Sequence, residues 1–211
     1  MDIYASDEEK SEAIKQWWRD NGLAVAVGVA LGITAIFGTR FWQSHQETQT
    51  EQAAAAYQKV VMALVGSADL SAAEETTATL KSDFSQTPYA AFAANELAAQ
   101  MASEGDLSGA ISELEWVMNH AELTSHRELA RLRMARLLMD NGEMDMALAL
   151  TQESESAAFS ILFAELAGDI YVAKSESDAA YDAYQKALDS MAENDPRRRL
   201  LEMKRDDVVV K

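Results

Sequence analysis

The run from Asn21 to Thr39, NGLAVAVGVALGITAIFGT, holds nineteen residues without a charge, bracketed by Asp20 and Arg40. A helix rises about 1.5 Å per residue, so roughly 20 such residues cross the ~30 Å hydrocarbon layer of a bilayer. The apolar side chains go round the whole helix, unlike the single stripe of a soluble surface helix. Trp17 and Trp18 precede the run and Phe41 and Trp42 follow it, as aromatic side chains do at membrane interfaces. A buried core helix has no use for those flanks. A cleaved signal peptide needs a short basic leader and a small-residue cleavage pattern. Here the first twenty residues carry six acids against Lys10, Lys15 and Arg19, and Thr39-Arg40-Phe41-Trp42 closes the run. The expectation is an uncleaved signal anchor over residues 21–42.

Lys10, Lys15, Arg19 and the amino terminus precede the span, against Arg40 and Lys59 after it. That bias points the amino terminus into the cytoplasm, and a long following domain crosses largely regardless of its own charge. Residues 1–20 then form a cytoplasmic amphipathic segment. A capping box from Ser6 to Glu9 opens it, and Ile14, Trp17 and Trp18 face one side. Such a helix would lie along the membrane and turn in at Asn21-Gly22. Ala24, Gly28 and Gly32, spaced by four, make a small-residue face on which a second membrane helix can pack closely.

Residues 43–211 hold 14 of the 18 basic and 29 of the 35 acidic residues, and the whole chain has a net charge of −17. Nucleic acid is thereby disfavoured as a partner, since phosphate binding needs clustered Lys and Arg. The absence of cysteine removes disulfides, thiolate metal sites and Cys nucleophiles. With two prolines, nine glycines and no strand-like alternation, this part should be all-α. Ser71 with Glu74 and Ser125 with Glu128 read as capping boxes, and Thr87-Pro88 and Asp195-Pro196 as caps before a first-turn proline. Breaks are expected at Gly66-Ser67, Gly105, Asn141-Gly142 and Ser175, with a first helix continuing from the membrane through Gln46–Val65.

Aligning the breaks exposes a repeat. Gly105, Gly142 and Ser175 are separated by 37 and 33 residues; Ala110, Ala147 and Ala180 stand five positions after them. Ala98, Ala135 and Gly168 stand seven before, and Met101, Leu138 and Tyr171 four before. Small residues where two helices cross, bulk beside them and a turn former between define a helix–turn–helix unit of ~34 residues. Gly168, Tyr171, Ala180, Tyr184 and Ala187 match the tetratricopeptide consensus, whereas the second copy is degenerate at Thr151 and Ser154. The pair Gln46–Val65 and Ser71–Ser82 looks like a weaker, earlier copy. Stacked pairs leave a concave face lined by the first helix of each unit. On the repeat numbering, Asn95, Ala99, Leu132, Arg136, Met139, Glu165, Asp169 and Val172 should line that partner groove.

Catalytic signals are sparse. His120 and His126 lack the i, i+4 spacing of a helical zinc pair, and His45 stands alone. The pairs Glu74-Glu75 and Asp206-Asp207 read as solvated. Arg127, Arg131, Arg133 and Arg136 lie on one helix and should pair with surrounding acids, a site for an acidic partner being the alternative; Arg197–Arg199 need an acidic neighbour at their helix start. No cofactor is expected.

MDIYASDEEKSEAIKQWWRDNG, the glycine-rich span, RFWQSHQ and AAAAYQ together resemble the YfgM-type ancillary subunits of the bacterial SecYEG translocon. The resemblance implies an inner-membrane protein with one span and a periplasmic tetratricopeptide-like domain. It implies association with SecYEG and with a PpiD-like membrane-anchored chaperone, and help for exported client proteins. It supplies no catalytic residue. The fold expected is thus all-α: one N-terminal transmembrane helix, then a tetratricopeptide-like helical-repeat solenoid over residues 43–211. A non-enzymatic export adaptor follows most directly. A periplasmic scaffold for cell-envelope or cell-division machinery is the alternative, and an anchored enzyme a third reading without a visible constellation.

Overall fold

The computed structural model describes residues 7–67, 69–152, 154 and 156–209, so the Ser6 end of the expected capping box lies outside the described residues. The chain divides into two compact units, Met1–Gln49 and Thr50–Lys211. Among the described residues every element is helical.

Helix α1, Asp7–Met62, begins in the first unit and ends in the second. An 18-residue stretch within it reaches a mean hydropathy of 2.0, with none of it buried. It is long and apolar enough to cross a bilayer. Trp17, Trp18, Phe41 and Trp42 are exposed on either side of the apolar run. The polar side chains along the run bond back to their own helix: Asn21 Nδ2 donates to Trp17 O at 3.0 Å, Thr34 Oγ1 to Ala30 O and Thr39 Oγ1 to Ala35 O, each at 2.9 Å. Hydrocarbon demands that polar groups be satisfied this way. The expected turn at Asn21-Gly22 is absent, and both residues are helical. An isolated glycine costs a helix only about 1 kcal/mol, too little to break one this long. Ala24, Gly28 and Gly32 are exposed, and a Cβ added at either glycine would meet nothing within 4 Å.

In the second unit the end of α1 passes through a π-helical turn, Ala63–Ser67, into α2, Leu70–Asp83. Three helix pairs follow: α3 (Pro88–Glu104) with α4 (Leu107–His120), α5 (Thr124–Asp140) with α6 (Met144–Ala149), and α7 (Ala157–Ala173) with α8 (Ser177–Ser190). Helix α9, Arg198–Val209, closes the series. Each pair turns at a left-handed residue: φ is +88° at Gly105, +84° at Gly142 and +63° at Ser175. The same bond closes all three turns, from Asp106 N to Met101 O, Glu143 N to Leu138 O and Glu176 N to Tyr171 O, at 2.8 to 2.9 Å. It satisfies a carbonyl that the helix end would otherwise orphan.

The six crossing residues, Ala98, Ala110, Ala135, Ala147, Gly168 and Ala180, are all buried. Each alanine of a second helix bonds by its N–H to the carbonyl of the acid that opens the helix, Ala110 to Asp106, Ala147 to Glu143 and Ala180 to Glu176. Ala73 repeats the bond to Asp69 at the start of α2, and α2 packs against α3. Only the third pair uses glycine at its first crossing, because a Cβ on Gly168 would run into the Tyr184 ring. Leu114 and Thr151 hold the Tyr184 position in the other pairs, and there alanine fits. The buried core continues from pair to pair, around Leu97 and Leu114, then Leu138 and Phe163, then Tyr184 and Leu201.

Three expected helix starts are corrected. Asp69, not Ser71, caps α2 and accepts from Ala72 N at 3.1 Å. Both residues are competent caps, and Ala73, four residues after Asp69, is buried. Leu123, not Ser125, precedes α5, and Glu128 turns inward, where Arg131 Nη2 at 3.2 Å and Ser154 Oγ at 2.6 Å donate to it. Helix α9 starts at Arg198, two residues beyond Pro196, because Arg197 N donates to Asp195 Oδ1 and holds a separate turn there. Thr87-Pro88 opens α3 as expected. The degenerate second copy has a structural counterpart: α6 has six residues where α4 and α8 have 14 each. A cleft of about 370 Å³ beside Leu148, Thr151, Phe163, Tyr171 and Lys186 marks the shortfall.

Gly168→Ala should cost about 1–3 kcal/mol by overpacking against Tyr184. Ser175→Gly should gain about 0.5–1 kcal/mol by relieving a non-glycine residue at positive φ. Chemical denaturation of the second unit, Thr50–Lys211, reads both signs, and a reversed pair would contradict this register.

Candidate functional site

The face made by the first helix of each pair is where the sequence places a partner groove, and its eight residues do not share one environment. Leu132 is 2 % exposed and belongs to the core, and Asn95 is 7 % exposed. Asn95 donates from Nδ2 to Ala91 O at 2.8 Å and accepts from Arg133 Nη1 on α5 at 2.9 Å. It is a strut between α3 and α5 rather than a free lining residue. Ala99 and Arg136 are exposed, Met139 is half-buried, and Val172 is 41 % exposed.

Glu165 and Asp169 are taken up by α9. Lys204 Nζ donates to Glu165 Oε1 and Asp169 Oδ1 at 2.9 Å each, and Tyr184 OH donates to Asp169 Oδ1 at 2.7 Å. Burial works against the Lys204 ammonium, but the bonds to Glu165 and Asp169 outweigh it and hold its pKa above the ordinary value. Burial, and then the Asp169 bond, push the Tyr184 hydroxyl up as well. Sequence spacing could not register this latch, because the lysine is 39 and 35 residues from its partners.

The arginines of α5 divide in the same way. Arg127 Nη1 donates to the carbonyls of Ala121 and Glu122, each at 2.9 Å, beyond the end of α4. Arg131 pairs with Glu128 and lies 4.3 Å from the centre of the Phe163 ring. Arg133 meets the neutral amide of Asn95, and Arg136 has no ion pair among the described residues. The expected acidic neighbours at the start of α9 are present. Asp195 pairs with Arg197 at 2.8 Å, Glu202 with Arg198 at 3.1 Å, and Arg198 Nη1 also donates to Leu188 O in the last turn of α8.

An aromatic shelf escapes the repeat alignment. Tyr57 of α1, Tyr89 and Phe92 of α3 and His126 of α5 lie ring to ring, at centroid distances of 5.1 to 6.0 Å. Phe92 remains 37 % exposed. Tyr89, His126 and Phe159 occupy one repeat position, nine residues before Ala98, Ala135 and Gly168, a regularity the sequence contains but the small-residue alignment does not use. His120 stacks on Trp116 at 5.0 Å and 10°, so His120 and His126 both face aromatic rings. Among the described residues no group of three or more His, Asp or Glu side chains could hold a metal ion. Glu74, Glu75, Asp206 and Asp207 are exposed. The fold and this face define a protein of the tetratricopeptide-like class, built to present a helical surface.

The comparisons agree. Residues 15–210 match the family described as tetratricopeptide repeat-like domain. The chain is 31% identical over 192 residues to the ancillary SecYEG translocon subunit of Escherichia coli K12, covering 90% of this chain and 91% of that protein. Proteins of the same name are 29% identical in Haemophilus influenzae, covering 87% of this chain and 89% of that one, and 25% in Neisseria gonorrhoeae, covering 99% and 100%. The chain belongs to the YfgM-type family, with its tetratricopeptide repeat-like domain.

The Lys204 latch has a pH signature. Folded-state pKa values raised above the ordinary 10.5 of lysine and 10.0 of tyrosine stabilise the fold below those values. That stability is lost as pH rises through the folded values. The thermal midpoint should therefore fall above about pH 10, and Lys204→Met should flatten the fall while costing about 1–2 kcal/mol at neutral pH. An unchanged alkaline slope in Lys204→Met would remove the latch from the account.

Proposed function

We propose that this protein is a non-enzymatic, membrane-anchored adaptor of the protein-export machinery. The anchor over residues 21–42 holds it in the bacterial inner membrane, residues 1–20 face the cytoplasm, and the domain over 43–211 faces the periplasm. There the first-helix face binds the SecYEG translocon and a PpiD-like membrane-anchored chaperone, and exported client proteins fold with their help. The observation that carries the reading is the 31% identity to the Escherichia coli ancillary SecYEG translocon subunit over 90% of this chain. Two features support it: a helix with an unburied 18-residue apolar stretch, and a repeat domain of a class that recognises other proteins by shape. Confinement to the membrane raises effective concentration, so weak contacts suffice.

Two measurements test this. The chain has no cysteine, and Ser108 is exposed on α4. Ser108→Cys should react with a membrane-impermeant thiol reagent on intact spheroplasts, whereas labelling only after lysis would put the domain in the cytosol. The full chain solubilised in mild detergent should co-purify SecYEG and the chaperone; recovery of cell-wall or division components in their place would overturn the adaptor reading.

A further inference from the structure

Arg133 and Arg136 stand three residues apart on α5 and so share a side of that helix. In a chain of net charge −17 they are the conspicuous cations of the first-helix face. Neither forms an ion pair among the described residues, although Lys81, Lys174, Arg197, Arg198, Lys204 and Arg205 all do. Arg133 is held instead by a neutral acceptor, the buried Asn95 amide, at 2.9 Å. That bond orients the guanidinium without neutralising it and leaves its other N–H donors for a ligand. Glu96, the acid next to Asn95, pairs with neither arginine, and its charge acts on Tyr57. At the position of α3 equivalent to Arg136 stands Ala99, exposed and small, so the Arg136 side chain has room.

The same two helices carry the aromatic shelf. Phe92 lies one turn before Asn95, and His126 two turns before Arg133, with their rings 5.1 Å apart. Towards the other ends of the first helices, Met139 is half-buried and Val172 exposed. An oriented cationic pair between an aromatic shelf and an aliphatic strip is a composite surface.

We propose that this surface captures a peptide segment of a partner protein that carries carboxylates flanked by an aromatic and an aliphatic side chain. The inference rests on the adaptor reading and specifies the chemistry of its partner. Charge complementarity selects the occupant: guanidinium groups bind carboxylates through paired, charge-assisted hydrogen bonds. Pre-orientation of Arg133 by Asn95 lowers the entropy cost of the contact. The acids elsewhere on the domain repel a longer acidic run, which restricts the fit to carboxylates concentrated at the arginines. Beyond about 8 Å that repulsion is screened at physiological ionic strength, so the local contact decides binding.

The test is a titration of the full chain in detergent micelles with a fluorescent synthetic peptide whose core reads Phe-Glu-Asp-Leu, and with its amide twin Phe-Gln-Asn-Leu. The acidic peptide should bind about tenfold more tightly than the twin. Arg136→Gln, at an exposed position, should reduce that preference with no change in thermal midpoint, and Arg133→Gln with Arg136→Gln should abolish it. Phe92→Ala should weaken both peptides alike. Equal binding of the two peptides by the native chain, or a preference that survives the double substitution, overturns the proposal. Co-purification of SecYEG reads the adaptor role separately, so a chain that co-purifies yet ignores the peptide charge contradicts only this inference.

Discussion

Two helices can approach each other closely only where the crossing residues are small, and the repeat unit rests on that constraint. Ala98 with Ala110, Ala135 with Ala147 and Gly168 with Ala180 provide the bare crossings, and all are buried. The left-handed residue and the closing bond to the carbonyl four residues before it set the angle at which each second helix returns. Where bulk enters, as with Tyr184, the opposing residue gives up its Cβ altogether. Stacking then follows, because a lone pair of helices cannot bury its apolar sides and its neighbour can.

The parts of the fold written in local chemistry were legible. Turn formers, crossing residues and the apolar run each act within a few residues, so periodicity finds them. The Asp69–Ala73 and Asp106–Ala110 segments, DLSAA and DLSGA, also share a local signature, and comparing them would have found the α2 cap. The groove was legible only in part, because lining depends on what arrives from elsewhere. Asn95 falls on the groove face by count and is bound by an arginine 38 residues away. Leu132 falls at a groove position by count, yet it packs with Leu138 and Phe163. Glu165 and Asp169 read as open carboxylates until α9 lays Lys204 across them. The turn expected at Asn21-Gly22 failed for the opposite reason: its signal was local, but the surrounding helix outweighed it.

Function follows from what the stack leaves uncovered. Its last pair is closed by α9, while the first-helix face of α3 and α5 stays open around Arg136, Ala99 and Phe92. On the proposed reading such a surface recognises shape and charge, and its affinity need not be high where a membrane helix confines it near its partners. The short α6 and the pinned Glu128–Ser154 contact distinguish this stack from a regular solenoid at its centre, directly beside that face.

Site-specific photocrosslinking in intact membranes addresses the central claim most directly. A photoreactive residue at Ala99, Arg136 or Val172 should give adducts with translocon or chaperone subunits, and one at the exposed Glu115 of α4 should give none. Adducts from Glu115 with silence from the other three would place the partner surface on the second helices and contradict the account.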